Sequence, residues 1–299
     1  MRILMTGGTG FIGRALAARL RQRGDELTVL SRDPPKAAAL LGDRVRIWSS
    51  FQQWQSGIAF DAVINLAGEP IIDKAWTAKR KQQLLASRIG ITGQLIDGIR
   101  HCQQTPAVLL SGSAIGIYGD AGTAVCTESS PLADDFAAGL CRQWERAAEP
   151  AETLGVRTVL LRTGLVLHHD GGMLKQLHLP FKFGLGSRLG DGRQMMSWIH
   201  RHDYLNAILF LLDNPRCQGA FNLTSPNPVS NAEFTETLAD SLGRKALLAT
   251  PAFLLKPVLG ERSILLLGGQ KVVPEKLSHA GFAFRYPSLA DALENAGVD

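Results

Sequence analysis

Met1-Arg-Ile-Leu-Met-Thr-Gly-Gly-Thr-Gly-Phe-Ile-Gly13 is the stretch that decides the fold. The apolar run at residues 3–5 predicts a buried strand, and apolar residues at helical spacing after the stretch predict a helix. The three glycines between them suit a tight turn, a close backbone approach to a pyrophosphate and close packing of the helix. We therefore predict a dinucleotide site at this turn, formed by Gly7, Gly10, Phe11, Ile12 and Gly13.

Composition and charge are those of an ordinary soluble globular chain. Of 299 residues, 45% are hydrophobic and 20% are charged, and the four cysteines are scattered without metal-type or redox-type pairing. A reduced, cytoplasmic protein is the expectation. The first residues read as a strand rather than a signal peptide, and no apolar run is long enough to span a bilayer. We therefore expect no membrane partner. The net charge of +5 comes without aromatic–basic interleaving, so we expect no nucleic-acid partner either.

The remaining chain continues the alternation of strands and helices. Further strands are predicted at residues 27–30, 45–48, 62–68, 106–110, 156–162 and 220–223, with a long helix over 77–102 interrupted by glycines. This order predicts an α/β fold with a doubly wound parallel Rossmann sheet. Residues 1–164, completed by about 193–224, form the predicted NADP-binding domain. Residues 165–192 and 225–299 form a smaller, mainly helical substrate-side lobe. Asp203, in the segment that completes the NADP-binding domain, is predicted to cap a helix that runs to about Leu212.

The end of the second strand indicates which dinucleotide is bound. An NAD site usually has an acid there for the ribose hydroxyls, but this chain has Ser31 and Arg32, with Asp33 one step further. A guanidinium suits the 2′-phosphate of NADP, which an acid would repel. The alternative is that Asp33 caps a short helix and Arg32 is solvated. NADP is the predicted cofactor.

Three other places on the predicted sheet edge point to the same ligand. Small residues at the end of the fourth strand, Ala67 and Gly68, would let backbone approach the ribose and phosphates. Arg88 on the long helix either points inward at the ligand or is a surface cation. Arg162 stands at the ligand-facing end of the sixth strand.

Several longer stretches resemble extended short-chain dehydrogenase/reductases, and more narrowly their atypical "epimerase family" subgroup. They are residues 6–13, 65–70, 179–186, 194–203, 222–234 and 268–274, so the resemblance covers nearly the whole chain. It implies a sugar-nucleotide-epimerase-like fold with a small carboxyl-terminal lobe and an NADP site. The matching cofactor contacts are the glycine loop, Ser31, Arg32, Leu66, Ala67, Arg88 and Arg162.

The chain departs from that group at its acid–base pair. The wider group uses Tyr-x-x-x-Lys on the helix after the fifth strand, and the corresponding residues here are Ala137 and Cys141. Neither can exchange a proton or supply a positive field at neutral pH. Two functions follow. The chain is an NADP-dependent oxidoreductase or epimerase for a small, sugar-nucleotide-like substrate without that pair, or it is a catalytically weak NADP-binding regulatory or redox-sensing module.

Candidate catalytic and substrate residues remain beside the predicted cofactor. Ser113 could hydrogen-bond a substrate beside the nicotinamide, as the serine of the wider group does, or satisfy a backbone group. Tyr118 is the nearest phenol and is expected to position rather than to act as a base. The predicted contacts to a small-molecule substrate are Glu69, Trp198 and His200. A metal site is not expected, because the pattern around His200 offers no third or fourth ligand.

Overall fold

The computed structural model describes residues 1–297, and its first half alternates strands and helices. The elements are β1 (Arg2–Thr6), α1 (Phe11–Gln22), β2 (Glu26–Leu30), α2 (Pro34–Leu41), β3 (Val45–Trp48), β4 (Ala62–Asn65), α3 (Ala78–Leu85), α4 (Ile91–His101), β5 (Val108–Ala114), β6 (Val125–Cys126), α5 (Phe136–Ala148), α6 (Pro150–Thr153) and β7 (Arg157–Thr163).

After β7 the alternation is less regular, with short strand pairs between the helices. These elements are β8 (Leu165–Leu167), α7 (Gly172–Lys182), β9 (Ser187–Leu189), β10 (Met195–Met196), β11 (Trp198–His200), α8 (Arg201–Asp213), β12 (Gly219–Leu223), β13 (Val229–Ser230), α9 (Asn231–Ser241), β14 (Leu248–Thr250), α10 (Ala252–Leu259), α11 (Ile264–Leu267), β15 (Lys271–Val272), α12 (Glu275–His279) and α13 (Leu289–Glu294).

Seven strands form one parallel sheet in the order β12-β7-β5-β4-β1-β2-β3. The chain proceeds from β1 to one side and then returns to the other, so the order reverses between β1 and β4. This is the doubly wound Rossmann arrangement predicted from the sequence. Ligands of such sheets bind outside the carboxyl ends of the strands at the reversal. There Thr6 is paired with Asn65, and Asn65 with Ser111.

The sheet is buried on both faces because alternate side chains of each strand point to opposite sides. In β1, Ile3 and Met5 pack with α1 and α8 on one face. Leu4 packs with Leu95 and Ile99 of α4 on the other face. All five side chains are completely inaccessible to solvent, so the first strand is fixed by apolar burial on both sides.

The predicted long helix is one helical path rather than segments broken by glycine. A π turn at residues 86–90 joins α3 to α4 and contains Arg88. Gly98 is required by packing, because a Cβ there would lie 2.3 Å from the Trp54 ring. Gly98 therefore allows close packing of α4 against Trp54 and does not end the helix. π turns inside helices often occur where a side chain is redirected for function.

The prediction that Asp203 caps α8 is wrong. His200 is the cap, since its Nδ1 accepts a hydrogen bond from the His202 backbone N–H. The Asp203 carboxylate instead accepts from the backbone N–H groups of Arg285 and Tyr286, both at 2.9 Å. It therefore fastens the carboxyl-terminal segment to the first turn of α8. At the second strand, by contrast, Asp33 does cap α2, at 3.2 Å from the backbone nitrogen of Lys36.

A second apolar cluster lies under the carboxyl-terminal part of the chain. It joins Trp198 and Phe181 to side chains of α9 and α13. The predicted division into 1–164 with 193–224, and 165–192 with 225–299, stays a prediction, and its residues 298 and 299 lie outside the described part. Within residues 1–297, no helix is both long and apolar enough to cross a membrane.

Candidate functional site

The glycine turn between β1 and α1 has the close contacts that the sequence predicts. Gly7 has φ +72°, and a Cβ there would lie 2.4 Å from the Leu66 carbonyl oxygen. A Cβ at Gly13 would lie 2.1 Å from the Gly7 carbonyl oxygen. Only glycine fits at either position. Gly7 has a left-handed backbone, and a Cβ at Gly7 or at Gly13 would collide with main-chain atoms. The turn therefore holds β1, the end of β4 and α1 together.

Gly10 differs, because the space beside it is open. A Cβ there would meet only the Gly7 carbonyl oxygen, at 3.3 Å. Gly10 caps α1 without a side-chain hydrogen bond, and the first turn, which includes Phe11 and Ile12, contains no acid. The N–H groups at a helix start favour anions, and neither a capping side chain nor a carboxylate competes for them here. These features fit the pyrophosphate of a dinucleotide.

The end of β2 carries an exposed cation next to a carboxylate. Arg32 is 89% exposed at its side chain, and its Nη1 donates to Glu69 Oε1 at 2.8 Å. Arg80 donates to the other Glu69 oxygen at 3.4 Å. The hydrogen bond from Arg32 lowers the pKa of Glu69. Ser31 bonds Asp33 through its hydroxyl. Arg32 is thus paired rather than simply solvated, and Glu69 lies beside the predicted 2′-phosphate position.

Arg88 lies across the backbone at the end of β4. The Gly68 Cα faces its guanidinium, since a Cβ there would be 3.1 Å from Cζ. Arg88 Nη2 donates to the Glu69 carbonyl at 2.9 Å, and the guanidinium lies 5.1 Å from the centre of the Trp144 ring. Burial lowers the pKa of Arg88. Its contacts are inward, which favours the first of the two alternatives for this residue. Next to it, the Ala67 N–H donates to the Thr6 hydroxyl at 3.3 Å.

A buried polar cluster occupies the carboxyl ends of β5, β7 and β12. Arg162 donates from Nε and Nη2 to the two oxygens of Glu145, each at 2.9 Å, and from Nη1 to the Tyr118 hydroxyl at 2.8 Å. Ser113 donates to Glu145 Oε1 at 2.7 Å, and Tyr118 donates to Asn222 Oδ1 at 2.7 Å. All five side chains are less than a tenth exposed. The two predicted catalytic residues therefore belong to one network.

Burial controls proton transfer in this cluster. It raises the pKa of Tyr118, although Arg162 opposes the shift. Burial, together with the charge of Glu145, raises the pKa of the Cys141 thiol to about 12. Burial would lower the pKa of Arg162, but the hydrogen bonds and charge of Glu145 outweigh it and raise that pKa. Tyr118 and Cys141 are thus both protonated at neutral pH, and neither replaces a tyrosine–lysine pair.

The predicted substrate contacts are dispersed. Glu69 lies between Arg32 and Arg80, as described above. Trp198 and His200 are completely buried. The Trp198 indole N–H donates to the Asn227 carbonyl at 3.1 Å, and His200 Nε2 lies 3.1 Å from the Asn295 carbonyl. The structure gives both residues packing and hydrogen-bonding contacts within the chain. Contact with a substrate stays a prediction for all three.

Sequence reasoning did not single out Glu145 or Asn222 as site residues. A signal for Glu145 existed: it follows Ala137 and Cys141 at intervals of four on α5, so the three share one helix face. That face is buried, which makes a carboxylate on it unusual. Asn222 gave no comparable signal, because its place opposite Arg162 follows only from the pairing of β12 with β7.

Comparison with protein families matches two separate parts of the chain. A sequence model of the NAD dependent epimerase/dehydratase family matches residues 3–224. A domain of unknown function, DUF1731, matches residues 250–296. The first match covers well over half of the chain and includes the glycine turn and the buried cluster.

Individual relatives match over nearly the full length. The chain is 38% identical to the chloroplastic epimerase family protein SDR39U1 homologue of Arabidopsis thaliana, over 98% of this chain and 86% of that protein. It is 37% identical to the epimerase family protein YfhF of Bacillus subtilis, over 100% and 99%. The crystal structure of human epimerase family protein SDR39U1 with NADPH is similar at 34% identity and a TM-score of 0.89, over 99% of each chain. Together with the fold, these matches confirm the resemblance drawn from the motifs: the chain belongs to the NAD dependent epimerase/dehydratase family, as an atypical short-chain dehydrogenase/reductase of the epimerase-family type.

Proposed function

We propose that this chain binds NADP(H) across the carboxyl edge of its sheet and is an oxidoreductase or epimerase for a small molecule. The observation that carries the proposal is the open start of α1 at Gly10, which no side chain caps, with Arg32 and no acid at the end of β2. The human relative of 34% identity was solved with NADPH, which supports the same cofactor here. When bound, NADP(H) supplies or accepts a hydride.

Selectivity for NADP(H) over NAD(H) rests on Arg32. Its guanidinium is exposed and paired with Glu69 at 2.8 Å, so a 2′-phosphate competes with that carboxylate for it. Glu69 keeps a second cation in Arg80 at 3.4 Å, which lowers the cost of releasing Arg32. In this proposal Ser31, Leu66, Ala67, Gly68 and Arg88 surround the adenosine half of the cofactor.

Substrate chemistry in this proposal is centred on Ser113. Because its proton is directed at Glu145, the hydroxyl offers oxygen lone pairs to a donor such as a substrate hydroxyl. Both oxygens of Glu145 already accept hydrogen bonds from Arg162, so they are engaged within the network. The site therefore suits substrate orientation better than strong proton abstraction. A sugar-nucleotide-like substrate and a cytoplasmic location stay predictions.

A second candidate is a weakly catalytic NADP(H)-binding module with a regulatory or redox-sensing role. The protonated state of Tyr118 and Cys141 favours it, because neither the thiol at the lysine position nor the nearest phenol titrates near pH 7.

The two candidates share a first experiment and differ in a second. Titration of the protein with NADPH and with NADH, followed by tryptophan fluorescence, should show tighter binding of NADPH, and equal affinities would contradict the proposal. A screen of hydroxyl and carbonyl compounds against the NADP-loaded and NADPH-loaded protein then separates them. Net cofactor oxidation or reduction, or formation of an epimerised product, with any compound supports the enzyme. Ligand-dependent thermal shifts without either product support the module.

A further inference from the structure

The exposed apolar side chains of this protein are concentrated in two short segments. Twelve large hydrophobic residues are exposed among residues 1–297, and eight of them lie within 171–190 and 243–260. The extremes are Leu247 at 84%, Val258 at 76%, Phe253 at 71% and Phe183 at 70%. Scattered single exposures are normal, but a concentration of this kind marks an interaction surface.

The fold joins the two segments into one surface. Strand β9 pairs in parallel with β14, with Ser187 opposite Leu248. The Ser187 and Thr250 hydroxyls lie 2.7 Å apart. At the other end, Arg244 Nε donates to the Lys182 carbonyl at 2.9 Å. The exposed residues of 171–190 and 243–260 are called the apolar–basic surface below.

The charged residues inside these two segments have one sign, and the exposed acids Asp170, Asp191 and Glu261 lie just beyond the segment ends. The two segments contain six basic residues and neither Asp nor Glu, namely Lys175, Lys182, Arg188, Arg244, Lys245 and Lys256. These six exceed the net charge of the whole chain, +5, so the remainder of the protein is close to neutral. Within residues 1–297 none of the six forms a salt bridge. Their charges therefore face solvent around the apolar side chains.

Helix α10 shows most clearly that the surface lacks a cover. None of its eight residues is buried, although its sequence is Ala-Phe-Leu-Leu-Lys-Pro-Val-Leu. A short surface helix normally buries its apolar face, because helices of this length have little stability alone. Phe253 and Val258 instead project outward, with Lys256 between them in sequence.

We propose that the apolar–basic surface docks on the face of a bilayer that contains anionic lipids. The apolar side chains would enter the boundary between headgroups and acyl chains, and the lysines and arginines would contact lipid phosphates. This revises the expectation of no membrane partner, which rested on the absence of spanning segments. A peripheral contact needs no such segment.

The chemistry of the surface selects this occupant over two others. A second copy docking through the same patch would place six cations against six cations, which repel. A peptide or protein partner is usually held by directional groups and by Trp or Tyr anchors. The two segments contain neither Trp nor Tyr. The Ser187 and Thr250 hydroxyls hydrogen-bond each other, so they are not directed at a partner. Aliphatic chains, phenylalanine and unpaired cations match a surface that is itself apolar, anionic and fluid.

The test is flotation of the purified full-length protein with vesicles of phosphatidylcholine alone and of phosphatidylcholine mixed equally with phosphatidylglycerol. We expect binding to the mixed vesicles only, and its loss at about 1 M NaCl, where the Debye length is ~3 Å. The variant K182Q/K245Q/K256Q should bind about a hundredfold more weakly, since each lysine near an anionic membrane contributes about fivefold. F253A/V258A should lose about tenfold or more through reduced insertion. L40A and K79Q, which change exposed residues elsewhere, are the matched controls and should bind as the unmodified chain does.

Three results would overturn the membrane assignment. One is equal flotation with both kinds of vesicle, or none with either. Another is unchanged binding by both surface variants while their melting temperatures match the parent. The third is evidence for another occupant. A dimer in light scattering that F253A/V258A dissociates would assign the surface to a second copy, and capture of polyglutamate without vesicle binding would assign it to an acidic protein.

Discussion

Glu145 and Arg162 form a two-point ion pair inside the protein, with Nε and Nη2 of the arginine each 2.9 Å from a different carboxylate oxygen. Glu145 belongs to α5 and Arg162 to β7, so the pair fastens the helix to the sheet. One of its carboxylate oxygens also accepts a hydrogen bond from the Ser113 hydroxyl. A single ion pair therefore fixes a helix position and the direction of the candidate catalytic hydroxyl.

Removing one partner of this pair should destabilise the protein strongly. Glu145→Ala leaves the Arg162 guanidinium buried without a carboxylate, which typically costs about 3–5 kcal/mol. Urea unfolding followed by circular dichroism measures the change. Glu149→Ala is the matched control, because Glu149 is exposed at the end of the same helix. A loss of under about 1 kcal/mol, as for an exposed ion pair, would show that the pair has little structural role.

Arg32→Ala should weaken NADPH binding about tenfold or more and leave NADH binding nearly unchanged. The substitution removes a charge-assisted contact to the 2′-phosphate, worth about 1.5–3 kcal/mol. Fluorescence titration of both cofactors measures the ratio. Equal losses for the two would show that Arg32 does not contact that phosphate.

Glu69→Gln should strengthen NADPH binding several-fold. The carboxylate competes with the 2′-phosphate for Arg32, and its charge repels that phosphate. The effect should shrink at high salt, because Arg32 is exposed and the interaction is screened. Asp73→Asn, an exposed carboxylate in the same loop, serves as control. If Glu69→Gln weakens NADPH binding instead, Glu69 orders the site rather than competing for it.

Once a substrate is known, Ser113→Ala should lower kcat and leave NADPH affinity unchanged. The loss of one orienting hydrogen bond, about 0.5–1.5 kcal/mol, corresponds to roughly twofold to tenfold in rate. Cys141→Ala on the adjacent helix should be nearly silent, because its thiol is neutral and buried. An unaltered kcat in Ser113→Ala would remove the serine from the mechanism. A large loss in Cys141→Ala with normal folding would show that α5 contributes to the chemistry after all.

Alkylation should spare Cys141 in the folded protein. Its pKa is raised by burial to about 12, and only the thiolate reacts, so a fraction of about 10⁻⁴ is reactive at pH 8. Reactivity should increase about tenfold for each pH unit up to that pKa. Mass spectrometry after iodoacetamide treatment follows the residue, with the half-exposed Cys102 for comparison. Rapid labelling at pH 7 would indicate local opening of α5.

Local sequence determined the glycine turn and the succession of strands along the first half of the chain. Gly13 must be glycine because it touches the main chain of Gly7, and Gly7 because it touches the main chain of Leu66 at the end of β4. The spacing of the glycines was enough to predict the turn. The strands were predictable because each is an apolar run covered on both faces. Asp203 was predicted wrongly because its two backbone partners, Arg285 and Tyr286, are about eighty residues away.

The candidate site divides in the same way. The sequence alone indicated Arg32 as a cofactor contact, because it follows a predicted strand. It also showed that the tyrosine–lysine pair is missing, because the positions of that pair lie on a predicted helix. Only the tertiary structure paired Arg32 with Glu69, directed Ser113 at Glu145, and joined the segments of the apolar–basic surface through β9 and β14. Those relationships connect residues far apart in the chain. They depend on how strands and helices are arranged in space, which local residue preferences do not specify.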